Sequence, residues 1–392
     1  MTTITQNLTA SNVANKTTTR LASIDVMRGI VMLIMLLDHV RERFYYHRPV
    51  ADPMSLTETE PELFFTRLLA HLCAPLFVFL TGLSAWLYAN PNNGIKRDPS
   101  AFLLKRGLFL IFIEVTLINL SWFGKYETLY LQVIWAIGLS MIALALLCKL
   151  PRNMIAGLGL LIVFGHNLLT PINFAPGEFG YIFWTILHDA GFLVSEGALK
   201  IKLSYPVLPW IGVILLGYAV GPIFGKTYDA KTRRAILIKL GASSLGLLMI
   251  LRGFNIYGET LDWQAQSTFI LTIMDFFNFS KYPPSLHYIL MTLGLGMILL
   301  PCFEKINNSV TRALQTFGSA PMFFYILHLY VLLFGYRLML NTYGSNYGDL
   351  FALPSVDYIW LTTILLATAL YLPVKTFANY KHNSQKAWLK YL

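Results

Sequence analysis

Runs of about twenty mostly apolar residues recur from one end of this chain to the other, and that recurrence limits the fold more than any single motif. A segment of that length crosses a bilayer as a helix, which satisfies its own backbone groups where water is absent. Hydrophobic residues make up 56% of the 392 and charged residues 13%, so a string of soluble domains is excluded. The pattern predicts an all-α, polytopic transmembrane helix bundle of about ten spans. They run roughly over 24–44, 63–89, 102–122, 129–148, 153–170, 205–225, 235–254, 283–300, 315–340 and 355–377. An eleventh apolar stretch, Tyr181 to Ser195, is interrupted by His188, Asp189 and Gly191 and is too short to span. It reads as a short external interfacial or re-entrant helix.

The net charge of +10 is no nucleic-acid signal in such a chain, because Lys and Arg here set topology and meet anionic lipid. Assigned to alternating sides of the ten spans, nineteen basic residues fall with the two chain ends and seven on the opposite side. That asymmetry predicts both termini in the cytoplasm. Residues 1–20, rich in Thr, Asn and Ser, read as a disordered cytoplasmic tail, 21–380 as one transmembrane domain, and 381–392 as a basic cytoplasmic tail. The first apolar run is not a cleavable signal, since Arg28 interrupts it and charges end it. Cys73, Cys148 and Cys302 lie in or beside apolar runs without metal spacing, so neither a disulfide framework nor a metal is expected.

The chemically richest stretch is the first span, from Ser23 to Arg41. Asp25 and Arg28 stand near its start, Asp38 and His39 near its end. Arg28 and His39 are eleven positions apart, which on an α-helix is three turns plus about 20°, so they share one stripe roughly 16 Å apart along the axis. A guanidinium and an imidazole at two depths on one face suit a site open to both compartments, and intramembrane charges default to function. The plainer alternative is an i,i+3 pair of Asp25 and Arg28 at the helix mouth. Histidine moves protons near neutral pH, so His39 is the candidate general base for an amine or hydroxyl arriving from outside. Asp38, about 100° round the helix, orients that ring only if the helix end unwinds. Arg28 is suited to a phosphate or carboxylate, which a guanidinium binds bidentately. Walker, dinucleotide, zinc-protease and Cys/His zinc patterns are all missing from the sequence. Pro75, Pro209 and Pro321 suggest kinks, and Gly217-x-x-x-Gly221 a close helix contact.

The spacing Arg28-x10-His39 resembles a signature of the membrane acyltransferase type 3 family. The surrounding Ser23-Ile-Asp-x-x-Arg-Gly29 is more similar to the heparan-α-glucosaminide N-acetyltransferase catalytic-domain family and its bacterial branch. So are Ala74-Pro-Leu-Phe-Val-Phe-Leu-Thr-Gly82, Tyr205-Pro-Val-Leu-Pro-Trp-Ile-Gly212, Arg252-Gly-Phe-Asn-Ile-Tyr-Gly258, Lys281-Tyr-Pro-Pro-Ser-Leu286 and Phe317-Gly-Ser-Ala-Pro-Met-Phe-Phe-Tyr-Ile-Leu-His328. The resemblance implies a multi-pass acyltransferase of the bacterial inner membrane. Its donor would be acetyl-CoA or another acyl-CoA reaching Arg28 and Asp25 from the cytoplasm. Its acceptor would be a glycan or lipid-linked sugar amine or hydroxyl on the outer side. His39 would serve as acid/base beside Asp38, or His47 in the loop after it, where the family carries a functional histidine. His71, Arg252, Lys281 and His287 are candidate acceptor contacts.

The intramembrane charges also fit a proton-coupled transporter or flippase of a polar lipid or sugar, or, less readily, a silent scaffold. Acyl length, acceptor identity and the choice between monomer and homodimer are left open by the sequence.

Overall fold

The computed structural model describes residues 2–45, 47–48, 50–91 and 95–391, with backbone alone for 2–21, Ala387 and Lys390. Helix α1 spans Thr2–Phe44, so the helical backbone already begins inside the stretch that composition reads as a tail. Then come α2 (Pro61–Ala70), α3 (Cys73–Ala89), α4 (Ser100–Ile113), a π-helical turn (Glu114–Ile118) and α5 (Asn119–Phe123). Next are β1 (Thr128–Leu131), α6 (Val133–Leu147), α7 (Arg152–Gly165), α8 (Tyr181–Leu187), β2 (Gly191–Val194), β3 (Lys200–Leu203) and α9 (Leu208–Val220). The remaining helices are α10 (Ala230–Gly253), α11 (Phe269–Phe276), α12 (Leu286–Cys302), α13 (Ser309–Ser319), α14 (Pro321–Tyr343) and α15 (Val356–Asn383).

All ten apolar stretches read as spans are largely helical. Among the described residues, five helices are long and apolar enough to cross a membrane: Pro61–Ala89, Arg152–Leu169, Ala230–Gly253, Pro321–Tyr343 and Val356–Asn383. Three shorter apolar helices cover 133–147, 208–224 and 286–302.

Four expectations are corrected. The fold is not all helix: a three-stranded sheet of order β1-β3-β2 interrupts it. β1 pairs parallel with β3 (Leu131 beside Leu203), and β2 antiparallel with β3 (Gly191 beside Leu203). The apolar stretch 181–195 is therefore only half helix, since its second half is strand β2. Ser309–Tyr343 is two helices, parted at Ala320. Pro209 and Pro321 occupy the first turns of α9 and α14, where a missing N–H has no consequence, so they start helices rather than kink them. Pro75 does mark a break. It has no N–H for the His71 carbonyl, α2 and α3 separate there, and the hydroxyl of Tyr288 donates to that carbonyl at 3.0 Å.

Helix α1 runs through the packed middle, against α13, α14, α15 and α3. Its crossing with α13 is close because both partners offer glycine there. A Cβ on Gly29 would overlap the Leu314 carbonyl, and one on Gly318 would overlap the Asp25 carbonyl. Gly217 similarly lies on the Phe79 backbone of α3, and Gly221 on the Trp86 ring, so the Gly217-x-x-x-Gly221 pattern is a contact face. Gly29→Ala is therefore expected to destabilise the bundle by about 1–3 kcal/mol or more, through forced separation of α1 and α13. A thermal melt of the detergent-solubilised variant checks this. Gly157→Ala, where a Cβ meets nothing within 4 Å, serves as the neutral control.

Candidate active site

Four residues of α1 spaced 4, 3 and 4 apart, Arg28, Met32, Met35 and His39, form one stripe. At the upper end of the stripe, His39 lines a cavity of about 370 Å³. Asp38, Glu42, Asp52, Trp122, Tyr325, Tyr282 and Lys281 also line it. The sheet supplies another part of the wall. Leu131, Leu203 and Gly191 stand in one row across the three strands, and the residues just beyond that row, Gln132, Ser204 and Ala190, all face the cavity. Three four-residue strands thus place three separate chain segments on one rim.

Below this cavity lies an apolar slot of about 90 Å³, lined by Met32, Met35, Phe77, Ile137, Met141 and Met322, among others. Val133 and Tyr325 belong to both linings, so the cavity and the slot meet at these two residues. Glu114 ties down the start of α6. This fully buried carboxyl in the π-turn accepts the Gln132 backbone N–H at 3.1 Å, next to Val133, where helix amides lack intrahelical partners. Arg106 also lines the slot. It interacts electrostatically with Arg28, and Lys381 of α15 interacts with both and with Asp25. The lower end of the stripe therefore brings together three cations, Arg28, Arg106 and Lys381, with the Asp25 carboxyl paired to Arg28.

Arg28 donates to Asp25 at 2.7 Å and to the Ser84 hydroxyl of α3. The i,i+3 pair expected as the plainer alternative is thus formed, and the guanidinium is also tied to a second helix. Asp38 does not orient His39. Helix α1 stays wound past it, and its carboxylate lies between Arg41 at 2.8 Å and Arg67 of α2 at 3.3 Å. Its partners are buried guanidiniums, which bind a carboxylate more tightly than an imidazole edge does.

The partner of His39 is instead His328 of α14, whose Nε2 lies 2.7 Å from His39 Nδ1. The ring planes are within 13° of parallel and the centroids 5.0 Å apart, about the sum of two ring radii and that bond length. The hydrogen bond therefore lies in the plane of both rings, along the nitrogen lone pair. His328 Nδ1 is 2.8 Å from the Phe324 carbonyl, which can only accept. Nδ1 of His328 thus carries the proton, its Nε2 is the acceptor, and His39 donates from Nδ1. That leaves the lone pair of His39 on Nε2. Among the described residues this atom has no hydrogen-bond partner, and it is not one of the buried unpaired nitrogens, so it opens on the cavity. Trp122 and Tyr325 hold the ring edge-on at 5.1 and 5.8 Å.

Of the residues singled out from sequence, His39, Asp38 and Lys281 meet in this cavity. Lys281 is brought there by Asp52, whose carboxylate accepts the backbone N–H groups of Lys281 and Tyr282. Burial pushes the Asp52 carboxyl above its ordinary pKa, opposed by those N–H donors and by Arg67 and Lys281. The other candidates lie outside the cavity wall. His71 is buried on the Tyr288 ring, with its Nδ1 bonded to the Arg67 carbonyl. Arg252 is a staple. It donates to the carbonyls of Phe276, Leu261 and Asp275, and so holds the segment that leads to Lys281. His287 is buried against Phe279. His47 stands between the Tyr45 and Tyr347 rings, and burial together with Arg48 lowers its pKa. The sequence reading missed His328, Tyr325, Trp122 and Arg106. The one available signal was Tyr325 and His328 at i,i+3 in the apolar first half of α14.

Among curated proteins, none is similar enough to be matched. The chain does match the catalytic family of heparan-alpha-glucosaminide N-acetyltransferase over residues 20–250, more than half its length. That span contains Arg28, His39 and the segments carrying both cavities apart from α14 and the Lys281 loop, and on this ground the chain belongs to that acetyltransferase family.

Proposed function

We propose that the protein is an integral-membrane acetyltransferase with ten spans and cytoplasmic termini, working in a bacterial inner membrane. It takes the acetyl group of cytoplasmic acetyl-CoA and delivers it to an amine or hydroxyl of a sugar on the outer side. The observation that carries this reading is the order along α1: a cation cluster, an apolar slot, then a cavity with one free imidazole nitrogen. Arg28, Arg106 and Lys381 are the groups for the donor's phosphates. The slot marks the path for the pantetheine arm: at about 90 Å³ it has to widen to admit that chain, whose thioester then reaches the neck at Val133 and Tyr325. The acceptor sits in the upper cavity among Asp38, Lys281 and the sheet rim.

The chemistry then needs one base. The acceptor's lone pair attacks the thioester carbonyl while its proton passes to His39 Nε2. The tetrahedral intermediate collapses, the C–S bond breaks, and the leaving thiolate takes that proton from His39. Acetylated acceptor and free thiol are the products, and the imidazole is neutral again.

The test is release of free CoA thiol by the purified protein in nanodiscs, given labelled acetyl-CoA and cell-envelope glycans. Label is expected in a glycan, in proportion to thiol released. Arg28→Gln is expected to raise the donor KM about tenfold while kcat changes little, the loss of one charged hydrogen-bonding group. An unchanged donor KM removes Arg28 from the donor site. Uptake of a sugar or lipid with no acetylated product replaces the enzyme with a transporter.

A further inference from the structure

The geometry points to His328 as the positioning residue of the reaction: its Nε2 accepts the Nδ1 proton of His39 and so holds the lone pair of His39 at Nε2, facing the acceptor. The inference rests on the acyl-transfer reading for its purpose, but not for its geometry.

Neutral imidazole has two tautomers, and only one of them is a base on a given side. The partner on the other nitrogen decides which is populated. For His39 that partner is His328, and the decision propagates from the backbone. The Phe324 carbonyl accepts from His328 Nδ1, which leaves His328 Nε2 as an acceptor, which in turn fixes the proton on His39 Nδ1. His328 is fully buried and is not in the cavity wall, so neither water nor acceptor reaches it to disturb this order. Its ring stacks on Phe324 at 5.1 Å and meets Tyr325 edge-on at 5.5 Å, which fixes the position of Nε2. When His39 takes a proton on Nε2 it becomes a cation, and its Nδ1–H bond to His328 shortens and strengthens. His328 thus fills the place that a carboxylate holds in many base–nucleophile sites, where a third group orients the base. A neutral orienter stabilises the imidazolium less than a carboxylate, so the proton is returned readily to a leaving thiolate.

Other histidines differ from this pair: His71 and His287 keep unpartnered ring nitrogens, but buried ones. His166 bonds the carbonyls of Val163 and Pro284, and His188 bonds Asp189 and the His166 carbonyl, so both ring nitrogens of each are occupied. Of these rings, only that of His39 keeps a nitrogen for chemistry.

The experiment uses full-length protein in nanodiscs with ¹⁵N-labelled histidine and three chains: wild type, His328→Gln and His328→Leu. Glutamine places an acceptor oxygen near the position of Nε2, whereas leucine fills similar space and accepts nothing. A His39→Gln sample assigns the His39 resonances. Wild type and His328→Gln are expected to show His39 protonated on Nδ1, and His328→Leu to show the proton shifted toward Nε2. In acetyl transfer, His328→Leu is expected to lose about 100-fold in kcat with donor KM within about twofold, and His328→Gln to recover at least about tenfold of that loss. The proposal is overturned if wild-type His39 carries its proton on Nε2, if the tautomer is the same in His328→Leu, or if glutamine and leucine are equally impaired. If His328→Leu does not fold, the wild-type tautomer and the glutamine variant still decide. Should no chain, wild type included, transfer acetyl, the acyltransferase reading fails while the tautomer measurement stands on its own.

Discussion

Replacing His39 by alanine is expected to lower kcat for acetyl transfer by a factor of about 10² to 10⁴, with the melting temperature of the protein little changed. The size follows from the role proposed for the side chain. Without a base the acceptor amine or hydroxyl attacks while still holding its proton, and the thiolate leaves unprotonated. The small stability effect follows from the site: the imidazole gives one hydrogen bond, to His328, and one side of it faces an open cavity. Donor KM is expected to stay near the wild-type value, because the cation cluster lies at the far end of the stripe. His47→Ala is the informative companion. Its ring is lodged between Tyr45 and Tyr347 and is not in the cavity wall, so activity close to wild type is expected. The reverse result, a dead His47→Ala and an active His39→Ala, moves the acid/base role into the loop. Initial rates of thiol release at saturating donor measure both.

Asp38→Ala is expected to produce the largest loss of stability of any single change near the site, about 3–5 kcal/mol. The carboxylate joins α1 to α2 by neutralising Arg41 and Arg67, which are 5% and 4% exposed. Arg41 retains Glu42 at 3.2 Å, but Arg67 has no other ion pair among the described residues, and its Nε is already buried without a partner. Removing one member of such a pair leaves an uncompensated buried charge, whereas removing both partners together is far milder. The double variant Asp38→Leu with Arg67→Met is therefore expected to recover much of the stability lost in Asp38→Ala. Thermal and SDS-denaturation midpoints of the three proteins check this. Equal midpoints for wild type and Asp38→Ala contradict the account of the network.

The stripe from Arg28 to His39 was legible in the sequence because it lies on one helix, where the period of 3.6 alone places side chains. The helical character of the ten apolar stretches was legible for the same reason. What stayed hidden was tertiary. His328 is 289 residues from His39 in the chain, and its apolar surroundings in α14 gave a histidine in a helix no stated partner. Asp38 looked like the orienter of His39 because it is adjacent. Arg67, which takes it away, lies 29 residues on, on another helix. The sheet escaped detection because four-residue strands sit below the length at which alternation can be read, and β2 was absorbed into an apolar run. Arg252 looked like a ligand because a guanidinium near a membrane face often is one. Its three carbonyl acceptors show a side chain spent on holding backbone.

The central claim is that α1 serves two compartments, with the donor gripped near Arg28 and the acceptor deprotonated by His39. Sealed vesicles of known orientation test it most directly. Labelled acetyl-CoA is added on the cytoplasmic face alone, and the glycan acceptor is enclosed on the opposite side. The account predicts acetylated acceptor inside the sealed compartment, thiol released outside, and neither with His39→Ala. Acetylation only when donor and acceptor share one side of the membrane contradicts it.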